Sequence, residues 1–196
     1  MRPPGAVPLT TRIIGISEPI RQCARHHRHL PRCAGGLFGV EVVRADTRWP
    51  CAWGVVGRPS SRHLDADGWW ELVRGIVPEG APPGCASAVL AAAARAARDH
   101  TLPLYGPGHA PAPGGALRRL PRTAPDPRPI VTYTLASEPG TSLIAAGWVP
   151  AGTTGGGQWG NDKRPRDVRS GELAAPKRRW VSRWSVDAAR ARGWVE

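Results

Sequence analysis

The sequence predicts an α/β (α+β) fold, a mixed and mostly antiparallel central sheet with helices on both faces. Three observations carry that expectation. Runs rich in β-branched and aromatic residues alternate with helical patterns in the order β-α-β-β-β-α-β-α-β-β, without an internal repeat. The 196 residues are 41% hydrophobic and include nine Trp, enough for one well-buried core. The 24 Gly and 22 Pro are too many for element interiors, so the loops must be long.

Taken in order, "TTRIIGI" (10–16) reads as a short strand, and Ser17-Glu18-Pro19 supplies an N-cap and first turn for a helix of about ten residues running towards His27. "LFGVEVV" (37–43) and "CAWGVVG" (51–57) are bounded by turn signals and read as two antiparallel strands. "WWELVRGIV" (69–77) is apolar on both faces, as the middle of a sheet requires. An alanine-rich helix follows from 85 to about 99. "IVTYTL" (130–135) resumes as a strand, and Ser137-Glu138-Pro139 repeats the cap signature before a short helix that ends at Gly147. Trp148-Val149 begins another strand. "RRWVSRW" (178–184) alternates and suits a final edge strand, with a short helix after it. Residues 8–185 thus read as a single domain with a Pro/Gly-rich insertion at 101–129 and a flexible basic segment at 152–177, followed by a C-terminal tail at 186–196.

The formal net charge of +12 favours phosphate-rich partners, DNA or RNA. Only Lys163 and Lys177 among the basic residues are lysines, and the Arg/Ala/Gly/Pro bias is also what a GC-rich genome writes. The dense local stretch at 161–180 is therefore the better indicator. Four scattered cysteines are too few for a disulfide framework and fit a reducing cytoplasm. No apolar run approaches a membrane span, so no membrane partner is expected.

The segment "VPEGAPPGCASAVLAAAARAAR" (77–98) enters its helix through residues with almost no side chain. Unpaired N–H groups at a helix N-terminus attract anions, and small residues let a phosphate approach the bare backbone, so Gly84, Ala86 and Ser87 suit phosphate. A tight turn before a close-packed alanine helix explains the same residues.

The span "LVRGIVPEGAPPGCASAVLAAA" resembles motif A of the GNAT acyltransferase superfamily, a strand leading through V-x-P to [RQ]-x-x-G-x-[GA] and a helix. The resemblance implies a GNAT-like fold and an acetyl-CoA or related acyl-CoA donor, its pyrophosphate held on backbone amides around Val77, Gly84, Cys85, Ala86 and Ser87. Ala81 stands where Arg or Gln is usual, and Pro82 and Pro83 remove two donors. "SEPGTSLIAAGW" (137–148) resembles motif B, which implies that this helix, with Ser142, lies beside the pantetheine arm. Leu143 stands where many relatives have a general-acid Tyr. The pieces "HHRHLPRCAGGLFGVEV", "WGVVGRPSSRHLDADGWWELVRG" and "IVTYTLASEPGTSLIAAGW" are similar to a phage and actinobacterial group of GNAT-like proteins, itself similar to the family of Mom, the phage DNA-modification protein.

From these residues the catalytic candidates follow. Glu71 lies on a central strand, where the resemblance implies a carboxylate that draws a proton from the amine; an ion pair with Arg58 or Arg74 is the structural alternative. Tyr133 offers a phenol in place of the missing motif-B Tyr, or a core hydrogen bond. "CARHHRHLPRC" spaces Cys23, His26, His27, His29 and Cys33 so that zinc is conceivable. His27 and His29 are candidates for contact with substrate or phosphate, with helix capping and surface roles as the alternative, and no metal is predicted. Arg164, Arg166, Lys177, Arg178, Arg179 and Trp180 mix cations with an aromatic ring and are the nucleic-acid-binding candidates, with Trp184 as a second stacking ring. Together these readings give a GNAT-fold N-acyltransferase acting on an amine, with an exocyclic base amine of nucleic acid as the proposed acceptor. The rivals are an inactive nucleic-acid-binding module of the same fold and a conventional small-molecule or protein N-acetyltransferase.

Overall fold

The computed structural model describes residues 7–27, 33, 35–99, 128–155 and 175–196. Its elements are β1 (Leu9–Ile14), α1 (Ser17–His26), β2 (Phe38–Arg44), β3 (Pro50–Gly57), α2 (Arg62–Ala66), β4 (Trp70–Ile76), α3 (Cys85–Arg98), β5 (Ile130–Leu135), α4 (Thr141–Ala145), β6 (Trp148–Thr154), β7 (Lys177–Ser182) and α5 (Val186–Arg190). The fold is α+β. One seven-stranded sheet runs in the order β1-β2-β3-β4-β5-β7-β6, antiparallel throughout except for the β4–β5 pair.

Helices cover both faces. On one face the buried alanines of α3 pack with Leu143 of α4 on Phe38, Val40, Val56, Trp70, Leu72, Ile130 and Trp180. Small side chains bring α3 close to the sheet, and the sheet is shaped to match: a Cβ on Gly54 would lie 2.8 Å from Val89 Cγ1. On the opposite face Cys23 of α1 packs on Trp53, Val55 and Ile76. Leu64 of α2 and Ala189 of α5 cover Trp69, Val131 and Val181 there.

Several sequence expectations are corrected. Ser17 is the first helical residue of α1 rather than its cap; Ile16 occupies the N-cap and no side chain caps the helix. Likewise the N-cap of α4 is Gly140 at φ +71, not Ser137, and Glu138 instead accepts a hydrogen bond from the Leu135 N–H at 3.3 Å. Gly147, at φ +78, does follow the C-cap of α4 as expected. The largest change concerns β7. It is an inner strand between β5 and β6, and β6 forms the edge. Pro150 explains why: it lacks an N–H and is tolerated on an edge strand, where no second neighbour asks for one. Helix α2 was not anticipated. Residues 186–195, expected as a tail, place Ala189, Trp194 and Val195 against the α1-face core. Of the expected basic segment, Gly152–Thr154 belong to β6 and Lys177 to β7. Residues 156–174 of that segment, and nearly all of the 101–129 insertion, lie outside the described residues.

Candidate functional site

The site begins with a failure of strand pairing. β4 and β5 are joined by only two residue pairs, Trp70↔Ile130 and Glu71↔Val131. Immediately afterwards β4 carries a bulge: Val56 faces Leu72 but Val55 faces Arg74, which leaves Val73 as the extra residue. A bulge bends its strand and increases the local twist, so β4 turns away from β5. The last link across the gap is a side chain, Thr132 Oγ1 donating to the Leu72 carbonyl at 2.9 Å. Beyond it the facing edges of 73–76 and 132–135 border a cleft of about 1080 Å³. Because the cleft parts the sheet, residues of both faces line it.

On the α3 face, Val77, Ala86, Val89, Leu90, Ser142 and Leu143 line the cleft. Gly84 caps α3 at φ +90, a left-handed conformation that only Gly adopts without strain. Its carbonyl accepts from the Ala88 N–H at 2.9 Å, and the Cys85 N–H turns back to the Pro82 carbonyl at 3.3 Å. The N–H groups of Ala86 and Ser87 have no hydrogen-bond acceptor among the described residues. Two donors and the positive end of a 14-residue helix therefore converge beside the cleft. The donor set from sequence is thereby narrowed. Ala86 and Val77 line the cleft. Ser87 offers its backbone while its hydroxyl donates to the Gly84 carbonyl at 3.0 Å. Cys85 has neither group to offer, because its N–H is satisfied and its buried thiol lies 3.2 Å from that of Cys51. Burial and this neighbour push the Cys85 thiol up to about 12. Gly84 shapes the turn without lining the cleft.

On the α1 face stand Glu71, Tyr133, Lys177, Arg179, Arg192 and Trp194. Glu71 is 9% exposed, and its carboxyl accepts from the Ser60 N–H at 2.9 Å and the Ser60 hydroxyl at 3.3 Å. Burial raises its pKa, and the Ser60 bonds, Arg74 and Lys177 oppose the rise without cancelling it. The alternative, an ion pair of Glu71 with Arg58 or Arg74, does not form: Arg58 lies 3.7 Å from Asp65, and Arg74 donates to the Val73 carbonyl at 2.6 Å. Tyr133 stands opposite Arg179 in the β5–β7 ladder. Burial, then the Glu71 charge, raise its pKa, so the phenol keeps its proton at neutral pH. A buried carboxyl and a protonated phenol thus share one wall.

His27, the C-cap residue of α1, borders the cleft beside His26. His29, Arg164 and Arg166 lie outside the described residues. Among the described residues no group of three His, Cys, Asp or Glu could hold a metal, and Cys23 is fully buried in the core. The nucleic-acid set divides by strand alternation. Lys177 and Arg179 line the cleft, whereas Arg178 faces the other side of the sheet and donates to the Ala136 carbonyl at 3.4 Å. Trp180 is corrected: it is 1% exposed, with its N–H bonded to Thr134 Oγ1 at 3.0 Å, and cannot stack on a base. The ring lies in the α3-face core, where Gly140 at the start of α4 packs against it. Trp184 is exposed but sits under the Arg98 guanidinium at 4.8 Å, away from the cleft.

Three residues of the site escaped sequence reading. Ser60, which holds Glu71, comes from the turn after β3; Arg192 and Trp194 come from the segment after α5. The Arg-x-Trp spacing in "ARARGWVE" was the one available signal. No helix among the described residues is long and apolar enough to cross a membrane. No protein-family model matches the chain, and no curated protein matches it.

Proposed function

We propose that the chain is an N-acyltransferase of the GNAT type that uses acetyl-CoA or a related acyl-CoA and acts on an amine, with a base amine of nucleic acid as the preferred acceptor. The observation that carries this reading is the wedge between β4 and β5, which has free helix N–H groups on one face and a buried carboxyl on the other. The residues present fit such a donor. Ala86 and Ser87 offer backbone donors to its phosphates, and the facing strand edges suit an extended amide-bearing arm better than a compact ligand. Bound there, the donor supplies an activated thioester carbonyl. Glu71 then takes the proton of the incoming amine, directly or through water, and its raised pKa suits that role. Tyr133 holds its hydroxyl proton on the same face as Glu71, available to a developing negative charge.

Thermal unfolding with and without acetyl-CoA tests the reading. A ligand at 100 times its dissociation constant adds about 2.7 kcal/mol. Ala86→Asp should remove the shift, because a carboxylate at the second helical position repels phosphate from the same N–H groups. The fold should survive, since an acidic residue in the first turn favours the helix dipole. Absence of any shift in the intact chain would overturn the donor assignment.

A further inference from the structure

On the α1 face, Arg179 of β7 and Arg192 beyond α5 both lie over Trp194, with guanidinium carbons 3.7 and 5.1 Å from its ring centroid. The ring in turn rests on Trp69, centroid to centroid 5.3 Å. The Nε atoms of both arginines are buried without an acceptor among the described residues. Arg192 is paired with Asp67. No carboxylate among the described residues lies within ion-pair distance of Arg179 or of Lys177, which shares its strand face. Arg179 Nη1 donates to the Ala151 carbonyl at 3.4 Å, and the guanidinium also interacts with the Tyr133 phenol, a neutral partner. Aromatic packing holds the Arg179 and Arg192 guanidinium groups in place, and Arg179 and Lys177 have no carboxylate partner among the described residues, so an arriving anion meets a local excess of positive charge on two side chains whose freedom is already spent.

We propose that Arg179 and Arg192, with Lys177 beside them, form an anion subsite on the acceptor side of the cleft that takes a phosphate group of the substrate. Two guanidinium forks and an ammonium offer donors in several planes, which suits the tetrahedral oxygens of phosphate; one fork would serve a planar carboxylate. Tyr133 faces Arg179 across the ladder and feels the Glu71 charge, so a phosphate held here keeps the rest of the substrate close to Glu71. That the substrate is an amine rests on the transferase reading; the subsite does not. A phosphorylated small molecule and a nucleic-acid strand offer the same phosphate chemistry.

The test is calorimetric titration of the full chain in the Ala86→Asp background, which excludes phosphate from the α3 N-terminus. The probes are adenosine, adenosine 5′-monophosphate and a short single-stranded DNA at several salt concentrations. A phosphate probe should bind at least tenfold more tightly than adenosine, and Arg192→Gln or Arg179→Gln should remove about that factor. Arg179→Lys, which keeps the charge and loses the fork, should fall between, and it remains informative if Arg179→Gln does not fold. Tighter binding of DNA, with a log-affinity against log-salt slope that drops by about 0.7 per lost contact, identifies a strand as the source; tighter binding of the monophosphate identifies a small molecule. In the otherwise unaltered chain, Arg192→Gln should leave the acetyl-CoA shift intact. Equal binding of adenosine and its monophosphate, no binding of either phosphate probe, undiminished binding by the folded variants, or loss of the acetyl-CoA shift in Arg192→Gln would each overturn the subsite. Phosphate-dependent binding by a chain that shows no acetyl-CoA shift would uphold the subsite and overturn the transferase reading.

Discussion

Glu71 combines burial with hydrogen bonding, and the two act on its proton in opposite directions. Burial is the larger, so the folded chain retains the proton above the ordinary 4.5 at which the unfolded chain loses it. In that window the native state binds more protons than the unfolded state, so stability is greatest below it and falls as pH rises through it. Glu71→Gln should remove this dependence and leave a chain at least as stable at pH 7, read from thermal unfolding at pH 5 and 7. Turnover should drop by about 10²-fold or more while the acetyl-CoA shift persists. A parallel loss of stability and activity would instead give Glu71 a structural role. The place of Glu71 on a central strand was legible because apolar residues surround it. Its partner Ser60 was not, because a hydrogen bond between a turn and a strand 11 residues away leaves no periodic trace.

At the scale of elements, the contact between α4 and β7 carries the greatest constraint. Gly140 adopts φ +71, and a Cβ there would overlap the indole of Trp180. Left-handed strain and overpacking add, so Gly140→Ala should cost about 2–4 kcal/mol, measurable by denaturant unfolding. Because α4 borders the cleft, the acetyl-CoA shift should weaken in parallel. Most strands were legible from β-branched runs between turn signals, and α3 from its unbroken alanine pattern. The exchange of edge and inner strands was not, since the alternation of "KRRWVSRW" is the same for either place. Pro150 was the missed indicator: it excludes an inner position for β6 and so leaves one for β7. The loop before α3 shows the same limit. Small residues at 84–87 signalled close backbone approach, yet only coordinates separate the N–H groups that are free from the one spent on Pro82.

Across the whole molecule, β1–β4 form one antiparallel half and β5, β7 and β6 another, and the direct strand-to-strand link between them is two residue pairs and one threonine hydroxyl. A ligand seated in the wedge touches both halves and should couple them. Deuterium uptake in peptides covering 73–76 and 132–135 is expected to slow by roughly tenfold or more at saturating acetyl-CoA, with little change in β1 and β2. Uniform protection across the sheet would point to global stabilisation alone. The composition predicted a folded mixed sheet because enough apolar residues fall in strand-length runs. It could not predict the splay, which depends on one extra residue in β4 and is invisible until the register with β3 is known.

The position of β7 also has a consequence for synthesis. β5 and β6 leave the ribosome first, but in the finished sheet they never touch; β7 must slide between them and satisfy both. A nascent chain can therefore complete its first four strands early, while Lys177, Arg179 and, later still, Arg192 arrive only after β5 and β6. The half of the cleft bearing Ala86 is built long before the half bearing the cations. Until residues 177–194 emerge, the chain has the α3 N-terminus without the cationic wall that faces it across the cleft.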